Sequence, residues 1–261
     1  MTAPSVTVES TDILGRLEDG SVRAAMPDPT SASGWRVNQE VKRAILERFR
    51  DPTMREWSVG PFLYRDRATV PPRDLSDGPW RIVPGGTSVR AGTYLGPGVV
   101  VMPPSFVNVG AWIGEETMVD SHVLVGSCAQ IGARVHLGAG VTIGGVLEPP
   151  GARPVIVDDD AFVGSGSRLL EGVLVGPRAV IAAGVTLTGT SRLYDLVRDR
   201  VIEGTSDDPL VVPAGAVVVP GARDLPGPFA RDNGLSVAVA VVVKDRDSRT
   251  SARVALETEL R

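Results

Sequence analysis

Every sixth residue from Val83 to Ile143 is aliphatic: Val83, Val89, Leu95, Val101, Val107, Ile113, Val119, Val125, Ile131, Leu137 and Ile143. Val, Ile and Leu make up about a quarter of the chain, so chance agreement over this run is on the order of one in a million before choice of frame. A second column lies four residues behind the first. Thr87, Thr93, Val99, Ser105, Ala111, Thr117, Val123, Ala129, Val135 and Val141 are all small or β-branched. Glycine follows the aliphatic directly at Gly96, Gly114, Gly126, Gly132, Gly138, Gly144, Gly164 and Gly176, where a corner with positive φ is expected. A period of six fits neither an α-helix nor simple strand alternation. It fits a coil of three short flat faces, about 18 residues per turn, with the aliphatic on the axis. The pattern breaks across Gly144–Ile156 and resumes at Val157, Val163, Leu169, Val175, Ile181, Leu187 and Leu193. Six turns at about 4.8 Å each give a prism roughly 29 Å tall.

Composition agrees. Forty valines, 30 glycines and only 5% aromatics call for a β core of small aliphatics. A formal net charge of −4 with 43% hydrophobic residues excludes the basic surplus of a nucleic-acid binder and the composition of a disordered chain. The single cysteine, Cys128, excludes an internal disulfide and fits a reducing compartment. No charged-then-apolar leader and no long apolar run are present, so a cytoplasmic location is expected. The expected fold is mainly β: a parallel β-helix over 81–220, after an N-terminal region (1–80) and before a C-terminal loop, strand and helix (221–261). Trp35, Val37, Val41, Ile45 and Phe49 behind an Asn38 cap predict a helix near 38–50. Residues 1–32 read as polar and irregular, and Leu193–Val212 as a charged interruption of the coil. The stretch after Val218 reads as a loop, Leu235–Lys244 as a strand, and the tail from Ser248 as a short helix.

The segment from Met102 to Gly164 closely resembles the tetrahydrodipicolinate N-succinyltransferase family. The motifs that carry the resemblance are Val107-Asn108-Val109-Gly110-Ala111, Thr117-Met118-Val119-Asp120, Gly126-Ser127-Cys128-Ala129-Gln130-Ile131-Gly132 and Gly144-Gly145-Val146-Leu147-Glu148-Pro149. It extends over roughly residues 33–245, from before Gly78-Pro79-Trp80-Arg81 to Ala240-Val241-Val242-Val243-Lys244. The resemblance implies a left-handed coil, a homotrimer with sites between subunits, and transfer of succinyl from succinyl-CoA to the amine of a small amino dicarboxylate in lysine and diaminopimelate synthesis. It implies no tightly bound cofactor, succinyl-CoA or another acyl-CoA being a co-substrate, while the sequence itself shows no nucleic-acid patch and no membrane anchor. Asp120 matches the family's amine-binding acid and Arg81 an arginine that grips an acceptor carboxylate. Lys244 matches a basic position beside the coenzyme, and Gly145 is assigned to coenzyme binding. An amide formed from a thioester needs a neutral amine held at the carbonyl, a proton acceptor, and donors for the oxyanion, which these residue types supply.

One stretch departs from the pattern. The family reads Gly-Ala-Arg-Ser-Glu where this chain has Gly164-Ser165-Gly166-Ser167-Arg168, so an arginine has become Gly166 and a glutamate Arg168. His122 stands where the family has tryptophan. These changes suggest a different acceptor, with Arg168 meeting a new anion and His122 supplying base chemistry, against the plainer reading of His122 as an outward polar residue. His136 and Cys128 are also family residues and read as structural or cofactor-lining and as packing, respectively. A three-histidine zinc site cannot be built within a protomer from the chain's two histidines, so no metal is expected. The alternatives are a paralogue acylating another amino acid in secondary metabolism and a catalytically silent scaffold.

Overall fold

The computed structural model describes residues 13–247. Two-residue strands stack in parallel on three faces of a prism. Face I carries Arg81–Ile82, Val100–Val101, Met118–Val119, His136–Leu137, Phe162–Val163 and Val180–Ile181. Face II carries Ser88–Val89, Phe106–Val107, Leu124–Val125, Thr142–Ile143, Arg168–Leu169 and Thr186–Leu187. Face III carries Tyr94–Leu95, Trp112–Ile113, Gln130–Ile131, Ile156–Val157, Leu174–Val175 and Val211–Val212. Each regular turn takes 18 residues, as in the pairing of Met118 with His136 and of Leu124 with Thr142.

The two inward columns explain the period. The periodic aliphatics from Val89 to Leu187 are at most 3% exposed, and so are most of the small residues behind them. Hydroxyls in the small column close the corners. Thr93, Ser105, Thr117 and Ser167 each donate to the carbonyl 15 residues ahead, at 2.8–3.1 Å, which satisfies polar groups that burial would otherwise orphan. The first turn corrects the sequence frame. Ile82, not Val83, pairs with Val101, because Pro84-Gly85-Gly86 adds one residue at the corner.

The glycine reading needs a second correction. The glycines directly after the aliphatics do not hold the positive-φ positions, which fall two residues later, as at Gly98, Gly110, Gly140 and Gly184. Gly114 is needed for a different reason: a Cβ there would lie 2.5 Å from the backbone of Gly132 on the next turn. Charged residues fill several of the positive-φ positions. Glu116, Arg134, Asp160 and Arg178 succeed one another up the corner between faces III and I with alternating sign, and Arg134 Nε lies 2.8 Å from Asp160 Oδ1.

The segment read as irregular contains a short helix, α1 (Ile13–Glu18), and a strand, Ala25–Pro27, paired with Trp35–Val37. The expected helix is α2 (Gln39–Arg50), with Asn38 Oδ1 accepting from the Val41 amide. Its Val41 and Ile45 pack with Ile13, Val109 and Cys128 against the corner between faces II and III. Arg23 docks the region on face III, over the Trp112 ring at 3.8 Å and donating to Gln130 Oε1 at 3.0 Å. A hairpin, Met54–Val59 with Phe62–Arg67, follows.

Leu193 does not continue the coil as its place in the hexad series suggested. It lies in a hairpin, Arg192–Asp195 with Arg200–Glu203, where it is buried in the coil's core and pairs with Ala240 before the coil resumes at Val211. The predicted loop after Val218 is also corrected. A strand runs Ala216–Asp224, a short α3 spans Pro228–Asp232, and Ser236–Asp245 returns antiparallel. The valine run Val217–Val219 and the valines of the returning strand make that pairing favourable. The helix expected from Ser248 lies outside the described residues.

Two measurements test this packing. Gly114→Ala forces backbone apart and costs about 3 kcal/mol, whereas Gly215→Ala, at φ 68° with open space around its Cβ position, costs about 1 kcal/mol; urea midpoints read the difference. Burial pushes the Cys128 thiol up to about 12 despite the nearby Lys42 charge. The folded protein should therefore leave a thiol reagent unreacted and take up one equivalent only after denaturation.

Candidate functional site

The corner between faces I and II concentrates the chemistry. Asp120 follows the face I strand Met118–Val119, and its amide donates to the Leu137 carbonyl of the next turn at 2.9 Å. Its Oδ1 accepts from the Ser121 amide at 2.7 Å, which sets the carboxylate at the mouth of the corner. His122 occupies the positive-φ position with φ 61° and an exposed side chain. Above it the same position is held by Gly140, Gly166 and Gly184. The corner is thus an open channel above His122, with nothing within 4 Å of a Cβ placed at Gly166 or Gly184.

At its upper end the channel meets a cavity of about 460 Å³ under the C-terminal hairpin, lined among others by Thr186, Arg192, Tyr194, Arg223 and Val239. Three turns separate Asp120 from this level, about 14 Å. Arg192 is held by Glu203 at 2.8 Å. Neither arginine was singled out in the sequence, because Arg223 falls in the stretch read as a loop and Arg192 just before the charged interruption that begins at Leu193.

The remaining sequence-predicted residues do not gather here within one protomer. Arg81 is exposed on the first strand of face I, two turns below the level of Asp120. Arg168 is exposed on face II between Thr142 and Thr186, about 10 Å above the level of His122. Among the described residues, the side chains of Arg81, His122 and Arg168 have no hydrogen-bond or ion-pair partner. Gly145 lies across a whole face, at the corner between faces II and III. Lys244 sits half-buried on the C-terminal strand opposite Val217 and does not line the cavity.

Gly145 opens the loop that breaks the hexad pattern, and that loop is anchored from the N-terminal region. The fully buried Lys42 donates to the Ala152 carbonyl at 2.7 Å and the Pro149 carbonyl at 3.3 Å. Burial lowers the Lys42 pKa. His136, read from sequence as structural or cofactor-lining, stands beside the corner on face I. Its ring stacks on Phe162 at 5.0 Å, and burial lowers its pKa while the Asp120 charge raises it. Among the described residues no group of three or more His, Cys, Asp or Glu is arranged to hold a metal ion, and no helix is long and apolar enough to cross a membrane.

Residues 110–145 match the bacterial transferase hexapeptide (six repeats) family. A protein of Xylella fastidiosa named 2,3,4,5-tetrahydropyridine-2,6-dicarboxylate N-succinyltransferase is 39% identical over 254 residues, covering 95% of this chain and 86% of its own. A protein of the same name from Rhodopseudomonas palustris is 42% identical over 257 residues, with 95% and 87% covered. Among solved structures, a Campylobacter jejuni protein described as a 2,3,4,5-tetrahydropyridine-2-carboxylate N-succinyltransferase superposes with a TM-score of 0.50 at 18% identity, over 88% of this chain and 61% of that one. The repeat and this shared architecture make the coil a left-handed parallel β-helix. By similarity across nearly its whole length, the chain belongs to the tetrahydropyridine-2,6-dicarboxylate N-succinyltransferase family.

Proposed function

We propose that the protein is a CoA-dependent N-acyltransferase that moves succinyl from succinyl-CoA to the amine of a small amino dicarboxylate. The observation that carries this reading is 37–42% identity over at least 95% of the chain to proteins named for that transfer. The channel between faces I and II supports it. The Asp120 carboxylate holds the acceptor amine, and the open glycine positions admit the thioester arm. Arg192 and Arg223, in the cavity above, meet the coenzyme's phosphates. The amine attacks the thioester carbonyl, the carbon–sulfur bond breaks, and the thiol leaves with a proton. Corner amides supply donors for the oxyanion.

Gly145, assigned to the coenzyme by resemblance, lies on a different edge of the prism from Asp120, which supports a site completed by a second copy and, with the family resemblance, a homotrimer. Val59, Phe62 and Leu63 on the N-terminal hairpin are each about two-thirds exposed, as a surface awaiting a neighbour would be. The single buried thiol supports a cytosolic setting.

Arg168 favours a second reading, in which the acceptor is a different amino acid. An exposed guanidinium with no partner among the described residues, next to an open corner at Gly166, suits an acceptor bearing an additional anion. His122 borders the same corner and would contact that acceptor.

Thiol release from succinyl-CoA or acetyl-CoA, each with 2-aminopimelate and a panel of other amino acids, tests both readings. Release with succinyl-CoA and 2-aminopimelate is expected, and release confined to another acceptor would select the second reading. Absence of both release and coenzyme binding would leave a silent scaffold. In the active pair, Asp120→Asn should lower kcat/KM by about 100-fold or more.

A further inference from the structure

Acylation requires the acceptor amine to lose a proton before it attacks, and the amine held at Asp120 arrives as an ammonium. The group that takes this proton must be unprotonated, near the corner and fixed in orientation. His122 is exposed and has no partner among the described residues to orient it.

His136 meets the three requirements. It projects outward from face I one turn above Met118, and Asp120 stacks on Gly138, two residues along the same strand direction. Residues two apart on a strand share a face, so the imidazole and the carboxylate stand on one side of the prism. The Phe162 ring, on the next turn, lies 5.0 Å from the imidazole with 13° between the planes, which fixes its orientation. The strands on either side present Met118 and Phe162, both uncharged, and Phe162 packs against the buried cluster of Val180 and Val217, as does Val243 of the C-terminal strand. Among the described residues Asp120 is the charged group whose field reaches the ring.

We infer that His136 is the proton acceptor for the amine held at Asp120, an assignment that rests on the transferase reading above. The imidazole takes one proton from the ammonium and becomes imidazolium. The amine lone pair forms the carbon–nitrogen bond to the thioester carbonyl. Collapse of the tetrahedral adduct breaks the carbon–sulfur bond, and the leaving thiolate takes the second amine proton. The imidazolium then returns its proton to solvent, so that ammonium and thioester give amide, thiol and one proton. Burial keeps the imidazole below its ordinary pKa, so it is neutral and ready at pH 7, and the Asp120 carboxylate stabilises the imidazolium once it forms.

The test uses His136→Asn and Asp120→Asn in the full chain. His136→Asn should lower kcat by about 100-fold or more while succinyl-CoA binding, measured by calorimetry, changes less than about threefold. Loss of kcat and of coenzyme binding together would overturn the assignment in favour of a merely structural or coenzyme-lining residue, as would an undiminished kcat. Added imidazole should restore part of the rate to His136→Ala. The second readout is independent of turnover. The chain has two histidines, so the imidazole resonance remaining in His122→Asn is that of His136. Its titration should fall below pH 6.5 and move lower still in Asp120→Asn, because the charge that raises it is gone. A titration unmoved by Asp120→Asn would overturn the coupling. A wild-type protein that is inactive with every acceptor would count against the transferase reading itself, whereas an active wild type with an unimpaired His136→Asn would count against His136 alone.

Discussion

Turn-to-turn contact along the prism axis governs the rest of the structure. Each two-residue strand bonds to strands one turn away on either side, and a chain of such strands has no strong local secondary structure to rely on. The aliphatic column supplies the driving force for stacking, and glycine at positions such as Gly114 sets how closely successive corners approach. Once the stack forms, a residue's place in the six-residue frame fixes its face, its turn and its direction. The insertions obey the same constraint. The loop beginning at Gly144 and the hairpin excursion before Val211 both leave from the corner between faces II and III, so the coil resumes in register above each.

The placement of chemistry follows from that frame. Asp120, His122, Gly166 and Gly184 share one corner because their spacings repeat with the turn, and the result is a channel leading to the cavity of Arg192 and Arg223. The loop at Gly145 is held at a different edge by Lys42. One prism does not bring the Gly145 edge to the corner of Asp120, and under the proposed function a second copy would bring such an edge to it. Arg168 is the main chemical novelty of the channel, a cation without a partner among the described residues, stacked on its face between Thr142 and Thr186.

The coil was legible in the sequence because its period is written in side-chain volume, and the Asn38 cap made α2 legible for an equally local reason. What sequence missed depends on contacts far apart in the chain. Ile82 displaces Val83 only because a Pro-Gly-Gly corner adds a residue, an insertion invisible to a search for period six. The Ala216–Asp224 strand was hidden by Pro220, which pairs opposite Ala240, and by Gly221, which lies against Val239 and Val241 of the returning strand. At the candidate site, Asp120 stood out in the sequence by motif and His122 by its departure from the family pattern. The proximity of His136 to Asp120 was not, since it depends on residues 16 apart meeting across a turn. Arg223 and Lys42 likewise take their places from tertiary packing alone.

The most direct test of the central claim, a channel at the corner between faces I and II completed by a second copy, is a crystal structure with CoA and 2-aminopimelate bound. The expected result is the coenzyme arm running along Gly184 and Gly166, its phosphates near Arg192 and Arg223, the acceptor amine on Asp120, and a second protomer covering the channel. Coenzyme held wholly within one protomer, or at another corner, would contradict it.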